Sequence, residues 1–174
     1  MKGLDYMMKW FKDCKCIEDV KRLYKKLSKQ YHPDLNGGKT ENEMKSINAE
    51  YETAFERFKN IHESMDGDNK TYTSSKESTE NAAEFMVIIN KLIVLDGVQI
   101  DLIHRWIWLS GNTYPYKETI KSLGFKWCSN KKMWAWHKAE DATHSRSKMT
   151  IDEIKDKYGC ETFKGVSAPR LAKA

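Results

Sequence analysis

No apolar run in this chain approaches the length of a membrane-spanning helix. The longest, Phe85 to Ile89 and Leu92 to Leu95, are separated by Asn90 and Lys91, whereas a helical span needs about 20 predominantly apolar residues. No membrane role is therefore expected. Nothing near the N-terminus combines a basic start, an apolar run and a small-residue cleavage site. The four cysteines, Cys14, Cys16, Cys128 and Cys160, lack any C-x-x-C pairing, which removes the usual zinc and redox motifs. Reduced thiols in the cytoplasm are the expectation that remains. Asn69-Lys70-Thr71 matches a glycosylation sequon but carries no weight without a secretory route. There is no phosphate-cradling loop, nucleophile elbow or carboxylate pair, and His62, His104, His137 and His144 lack partners at ligand or base spacing. No enzyme, metal or cofactor is expected, and no internal repeat is visible.

What is present is a chain of 174 residues, 40% apolar and 32% charged, enough for one ordinary domain or two small ones. The net charge of +5 is unevenly spread. Residues 1–62 carry +3, residues 63–99 carry −4, residues 100–137 carry +4, and the remainder carries +2. Two basic modules thus flank an acidic middle. Within that middle, residues 62–83 are polar and Ser/Thr-rich, a composition that cannot bury enough apolar area to offset chain ordering. They read as a linker between an N-terminal module, 1–61, and a second module, 84–137.

In the first module Val20, Leu23, Tyr24, Leu27 and Tyr31 recur at helical spacing. Lys21, Arg22, Lys25, Lys26 and Lys29 crowd the rest of that helix, five cations able to steer it onto an acidic partner. Pro33 disfavours helix at His32 and should end the helix near Tyr31. Gly37 and Gly38 then loosen a loop, and Thr40 with Glu43 has the spacing of a capping box. The second helix, about 41–60, places Met44, Ile47, Tyr51, Phe55 and Phe58 on one face. A short helix near Leu4 to Lys12 can cover the pair, which forms an antiparallel hairpin with the loop at its tip.

YKKLSKQYHPDLNGG followed by MKSINAEY resembles the signature of J domains, on Tyr24, Leu27, Tyr31, His32, Pro33, Asp34, Asn36, Ile47, Asn48 and Tyr51. The resemblance covers roughly residues 8–60. It implies a J-domain co-chaperone of the DnaJ type that docks on a DnaK-type chaperone and stimulates its ATP hydrolysis. The implied docking residues are Lys21, Arg22, Lys25, Lys26, Lys29, His32, Pro33, Asp34 and Asn36, with Asp34 as acceptor for a partner cation. The usual aromatic opening is replaced by MKWFKDCKCIEDV, and neither a Gly/Phe-rich segment nor a cysteine-rich zinc module follows. A specialised co-chaperone is therefore expected, its client or target recruited by the second half.

In that half, Ile100, Leu102, His104, Trp106 and Trp108 alternate with Ile103, Ile107 and Leu109, the pattern of one strand apolar on both faces. Gly111-Asn112 marks a turn, and Pro115 suits the first turn of a helix that Gly124 ends. Phe125 to Cys128 and Met133 to Trp136 read as a hairpin. The expected class is α+β: a helical J domain, then a small β-α-β-β module against which Phe85 to Leu95 packs as a helix. Residues 138–149 read as a second linker, and 150–160 as a short helix opened by a Thr150–Glu153 capping box. Residues 161–174 read as a flexible tail. The module resembles a small tryptophan-rich module found beside J domains and in proteins of bacterial mobile elements, on Gly111, Thr113, Lys117, Gly124, Trp127, Lys132 and Trp134.

Five of the six tryptophans sit in this segment among six cations. Large rings make the core of a small unit, whereas rings interleaved with cations suit single-stranded nucleic acid or a peptide. Trp106, Trp108, Lys117, Lys121, Lys126, Trp127, Lys131, Lys132, Trp134 and Trp136 are the candidate ligand surface. A nucleic-acid-binding adaptor is the alternative function.

Overall fold

Pro33 sets the first helix boundary. The residue before it, His32, is extended at φ −62°, ψ 127°, as the proline ring demands. The computed structural model describes residues 8–63, 69–71, 81–103, 106–138, 149–158 and 161–164. The chain divides into two compact units, Met1–Asn90 and Lys91–Ala174.

In the first unit α1 (Ile17–Tyr31) and α2 (Glu41–Phe58) flank a 3-10 turn, Pro33–Leu35. Ile17, Val20, Tyr24 and Leu27 of α1 meet Met44, Ile47, Tyr51, Ala54 and Phe55 of α2 in the core. Aromatic rings form its centre. Tyr24 and Tyr51 lie 4.1 Å apart, with Phe55 and Phe11 at 5.7 and 6.0 Å from Tyr51. Glu18 and Asp19 occupy the first turn of α1, where carboxylates oppose the positive end of the helix dipole.

Three expectations for this unit need correction. Residues 8–15 form bends and turns rather than a covering helix; Leu4 to Met7 lie outside the described residues. Their anchors hold them in a non-helical path: the Trp10 N–H donates to the Glu50 carboxylate at 2.7 Å, its ring meets Tyr31 edge-on, and Phe11 is buried. The expected linker is structured at 62–63, 69–71 and from 82 onward. Strands β1 (Ile61–Glu63) and β2 (Asn69–Thr71) pair antiparallel, and buried His62 places Nδ1 2.8 Å from the Glu18 carboxylate. Helix α3 (Ala82–Ile93) opens where Asn81 Oδ1 accepts the Ala83 N–H. The unit boundary falls inside it. Phe85 stacks on Tyr51 at 6.0 Å and 25°, so this end of α3 belongs to the helical hairpin and not to the second module.

The second unit is a five-stranded antiparallel sheet in the order β5-β6-β4-β3-β7. Its strands are β3 (Val98–Ile103), β4 (Trp106–Gly111), β5 (Lys126–Cys128), β6 (Met133–Trp136) and β7 (Glu161–Lys164). The run 100–109, expected as one strand, is a hairpin with Ile103 opposite Trp106. The reversal changes the parity of the alternation. Trp106 and Trp108 share a face with Ile103 and Asp101, not with Ile100 and Leu102. The start of the expected tail is also a strand, since β7 pairs with β3, Gln99 opposite Lys164; residues 165–174 lie outside the described residues.

Helix α4 (Lys117–Ser122) follows a 3-10 turn, Tyr114–Tyr116, and ends as expected at Gly124. Gly124 has φ +86°, and its N–H reaches the Lys121 carbonyl while that of Phe125 reaches Ile120, a Schellman close. Gly111 is required for another reason: a Cβ there would stand 2.4 Å from the Gly97 carbonyl oxygen. Helix α5 (Ile151–Tyr158) packs Ile151 and Ile154 against Ile103, Trp108, Met133 and Ala135. The Thr150–Glu153 capping box that opens it forms in full, with reciprocal bonds at 2.6 and 3.3 Å.

Candidate functional site

The His32-Pro33-Asp34 loop is fastened to the end of α1 by the orphan carbonyls a helix leaves behind. The Asn36 amide donates to the carbonyls of Gln30 and His32 at 2.9 and 3.0 Å. The Thr40 hydroxyl donates to the Tyr31 carbonyl at 2.8 Å. Thr40 therefore closes α1 and makes no capping bond to α2, a correction to its expected role. The loop's own turn is closed by Leu35 N–H to His32, and by Asn36 and Gly38 N–H to Pro33. Gly37 and Gly38 adopt φ +60° and +80° with open space around them, conformations that favour glycine.

His32 and Asp34 have opposite exposures. The His32 ring is buried, and its Nδ1 accepts the Asp34 N–H at 3.2 Å, which requires Nδ1 to be unprotonated. Burial pushes the His32 pKa below its ordinary value, against an opposing pull from the Asp34 carboxylate. His32 is therefore neutral at pH 7 and orders the backbone, while the Asp34 side chain is 74% exposed at the tip. Pro33 and Asn36 are half-buried between them. One buried ring, one rigid proline and one double amide clamp present a single free-standing carboxylate.

The five cations of α1 do not form one exposed face. Lys26 is exposed, and Arg22 and Lys29 are half-buried. Arg22 pairs with Asp19 at 2.7 Å. Lys21 and Lys25 are buried, at 6% and 1% exposure. The cause at Lys21 is visible: its Nζ lies 5.5 Å from the Phe85 ring and 6.0 Å from that of Phe55. Beside it, the Tyr24 hydroxyl donates to Asn48 at 2.9 Å and accepts from the Asn90 amide at 3.2 Å. Burial raises the Tyr24 pKa. Sequence reasoning missed Phe85 and Asn90 as neighbours of α1. The one signal available was Asn90 interrupting the apolar pattern of α3.

The ten candidates of the second module also separate. Trp108 and Trp134 are core, Trp106 and Trp136 are half-buried, and Trp106 lies between Trp108 and His137 at 5.5 and 4.0 Å. Lys131 donates to the Met149 carbonyl at 2.6 Å. Lys117, Lys121, Lys126 and Lys132 are exposed. Trp127, on edge strand β5, is 50% exposed, with its ring edge-on to Trp134 at 5.4 Å. Exposed Tyr114 carries the Lys117 ammonium 5.2 Å from its ring.

Cys14 and Cys16 are buried free thiols, pushed by desolvation up to about 11 and about 12, which leaves them unreactive at neutral pH. Cys128 is free and half-buried; Cys160 lies outside the described residues. Among the described residues no group of three or more His, Cys, Asp or Glu side chains converges, and no helix is long and apolar enough to cross a membrane.

No family model matches the chain, and no solved structure matches it. A curated relative does: 53 residues are 42% identical to the chaperone protein DnaJ of Finegoldia magna, covering 29% of this chain and 14% of that protein. The likeness thus spans a small part of the chaperone's length. Over that stretch, the chain is similar to a DnaJ chaperone at the level of a J-domain-like relative.

Proposed function

We propose that this protein is a J-domain co-chaperone acting in the cytoplasm, which docks on a DnaK-type chaperone and stimulates its ATP hydrolysis without catalysing a reaction itself. The observation that carries the reading is the loop: a buried neutral His32 and a clamped turn hold Asp34 out in solvent. An exposed, pre-ordered carboxylate loses little side-chain and backbone entropy on meeting a partner cation. Lys26, Arg22 and Lys29 on the preceding helix supply a salt-sensitive attraction to an acidic surface. The second unit would recruit the client.

Single-turnover ATP hydrolysis by a DnaK-type chaperone tests this. Wild type should accelerate it, and Asp34→Asn should return it to the chaperone's basal rate while changing stability by no more than about 0.5 kcal/mol, as for other surface substitutions. His32→Gln should also lose stimulation, but it disturbs the loop, because His32 is buried and accepts the Asp34 N–H. Asp34→Asn is the cleaner variant. Equal stimulation by wild type and Asp34→Asn sinks the proposal.

A second reading concerns the tryptophan-rich unit alone. Half-exposed Trp127 beside Lys126 favours stacking on a base of single-stranded nucleic acid. Binding of an oligonucleotide that weakens steeply with salt, and is lost in Trp127→Ala, supports this reading. A client surface would bind peptide with little salt dependence.

A further inference from the structure

Tyr31 is the last residue of α1, and the His32-Pro33-Asp34 loop begins at the next one. Helix ends fray, and because the peptide bond between them is rigid, movement of Tyr31 passes directly to His32. Tyr31 is held at both its backbone and its side chain. Its carbonyl accepts the Thr40 hydroxyl at 2.8 Å, and its ring meets the Trp10 indole edge-on at 5.3 Å and 65°.

Trp10 belongs to a stretch of bends and turns, so its place is set by tertiary contacts and not by a helix or strand of its own. Its backbone N–H donates to the Glu50 carboxylate at 2.7 Å, and its indole N–H donates to the Ser46 hydroxyl at 3.4 Å. Ser46 and Glu50 stand about one turn apart on α2. Trp10 is thus fastened to one helix while its ring bears on the end of the other. Neighbouring Phe11 anchors the stretch by burial beside Tyr51, and the Lys9 ammonium lies over the indole at 4.4 Å. Trp10 itself is only half-buried.

We infer that Trp10 is a positioning residue for the loop: through Tyr31 it restrains the last turn of α1 and so sets where His32 and Asp34 stand. The ordering of the loop follows from these contacts alone. Its consequence, a pre-placed Asp34 carboxylate for a partner cation, rests on the co-chaperone reading above. An edge-on ring pair shifts an equilibrium by a factor of about 2 to 12. That is enough to loosen a loop while leaving the hairpin core of Tyr24, Tyr51 and Phe55 folded.

Amide exchange on the intact chain tests the ordering without any partner. The N–H groups of Asp34, Leu35 and Asn36 are each bonded within the loop. In Trp10→Ala their protection should fall by about 2 to 12-fold, with α2 amides unchanged. Trp10→Phe keeps a ring against Tyr31 and should stay within about twofold of wild type. If Trp10→Ala loses α2 protection, Trp10→Leu, which keeps apolar bulk without a ring, takes its place, with the same selective fall expected. In the ATPase assay the Trp10→Ala protein should need a higher concentration for half-maximal stimulation, with the maximum unchanged. A partner that binds only the ordered loop recovers it at saturation. Loop protection equal to wild type, or a loss shared evenly by α2, would overturn the inference. Lowered protection with an unchanged half-maximal concentration would overturn its bearing on docking. Absence of stimulation by wild type would overturn the co-chaperone reading, while the exchange experiment still decides whether Trp10 orders the loop.

Discussion

The loop of the helical unit and the core of the sheet unit hold their polar groups by opposite means. In the His32–Thr40 loop of the helical unit the polar groups are tied locally, to backbone within ten residues: Asn36 to Gln30 and His32, Thr40 to Tyr31, and His32 to Asp34. In the sheet unit, fully buried Asp101 on β3 is met by Lys155 of α5 at 2.8 Å, far along the chain, with Gln99 as a weaker second donor at 3.4 Å. Local ties shape a loop that one substitution can alter without unfolding the rest. A distant tie makes the last helix part of the sheet's electrostatic balance, so its loss spreads.

The largest effect should therefore come from breaking the distant tie. Lys155→Met leaves the Asp101 carboxylate buried without its cation and should cost the sheet unit about 3–5 kcal/mol. The matched control lies in the helical unit, where Lys59 meets Glu56 at a similar 2.7 Å but with 34% and 64% of the side chains exposed. Lys59→Met should cost no more than about 1 kcal/mol. Chemical denaturation followed separately by tryptophan fluorescence and by amide exchange in α2 distinguishes the units. Similar losses in the two variants would mean that burial is not what separates these ion pairs.

The same contrast explains what could be read from the sequence. The hairpin was legible because its determinants are close together: the α1 stripe, Pro33, and the α2 stripe from Met44 to Phe58. So were the Gly124 stop and the Thr150–Glu153 cap, each decided within one helical turn. The β3–β4 hairpin was not legible as two strands, because Ile103, Trp106, Ile107 and Trp108 are apolar enough to satisfy either reading. Pairing of β7 with β3 and the covering of Lys21 by α3 depend on partners about sixty residues away, which no local pattern specifies. The Thr40–Glu43 spacing shows the limit of a motif: the hydroxyl had two acceptable uses, and the orphan carbonyl of Tyr31 took it. For the candidate site, the loop residues and the role of Asp34 were legible, but the burial of His32, Lys21 and Lys25 needed the fold.

A smaller effect, of opposite sign, is expected at the β5–β6 turn. Lys132 is the one non-glycine among the described residues with positive φ, at 52°. A left-handed residue with a Cβ gives up roughly 1–2 kcal/mol, of which glycine's greater freedom when unfolded returns about half, so Lys132→Gly should stabilise the sheet unit by somewhat under 1 kcal/mol. Its side chain is exposed and leaves no cavity. The substitution also probes the nucleic-acid reading, because removal of a phosphate contact lowers the salt slope of binding by about one. A stability gain with an unchanged slope would assign Lys132 to the turn alone.

The smallest effect is the most local, and it tests whether the loop's ties act independently of the rest. His32 is held below its ordinary pKa of about 6.5 by burial. A histidine depressed in the folded state binds its proton first in the unfolded chain. Its contribution is therefore fully present above pH 6.5, falls as the pH drops from there to the folded value, and is constant below that. Protonation removes the acceptor of the Asp34 N–H, while the new charge attracts the Asp34 carboxylate 3.9 Å away. The second effect partly offsets the first, which keeps the loss of stability small. Amide exchange at Asp34, corrected for the intrinsic pH dependence, should show protection declining on acidification from pH 7.5 to 5.5 in wild type. In His32→Gln, which cannot titrate, protection should be lower at the start and flat. Amides of α2 should not follow the change, since the clamp that fastens the loop to α1 is made by the Asn36 amide and the Thr40 hydroxyl, which carry no titratable group. A decline shared by α2, or one that persists in His32→Gln, would place the sensitive group elsewhere and remove the local autonomy that sets this loop apart from the Asp101–Lys155 tie.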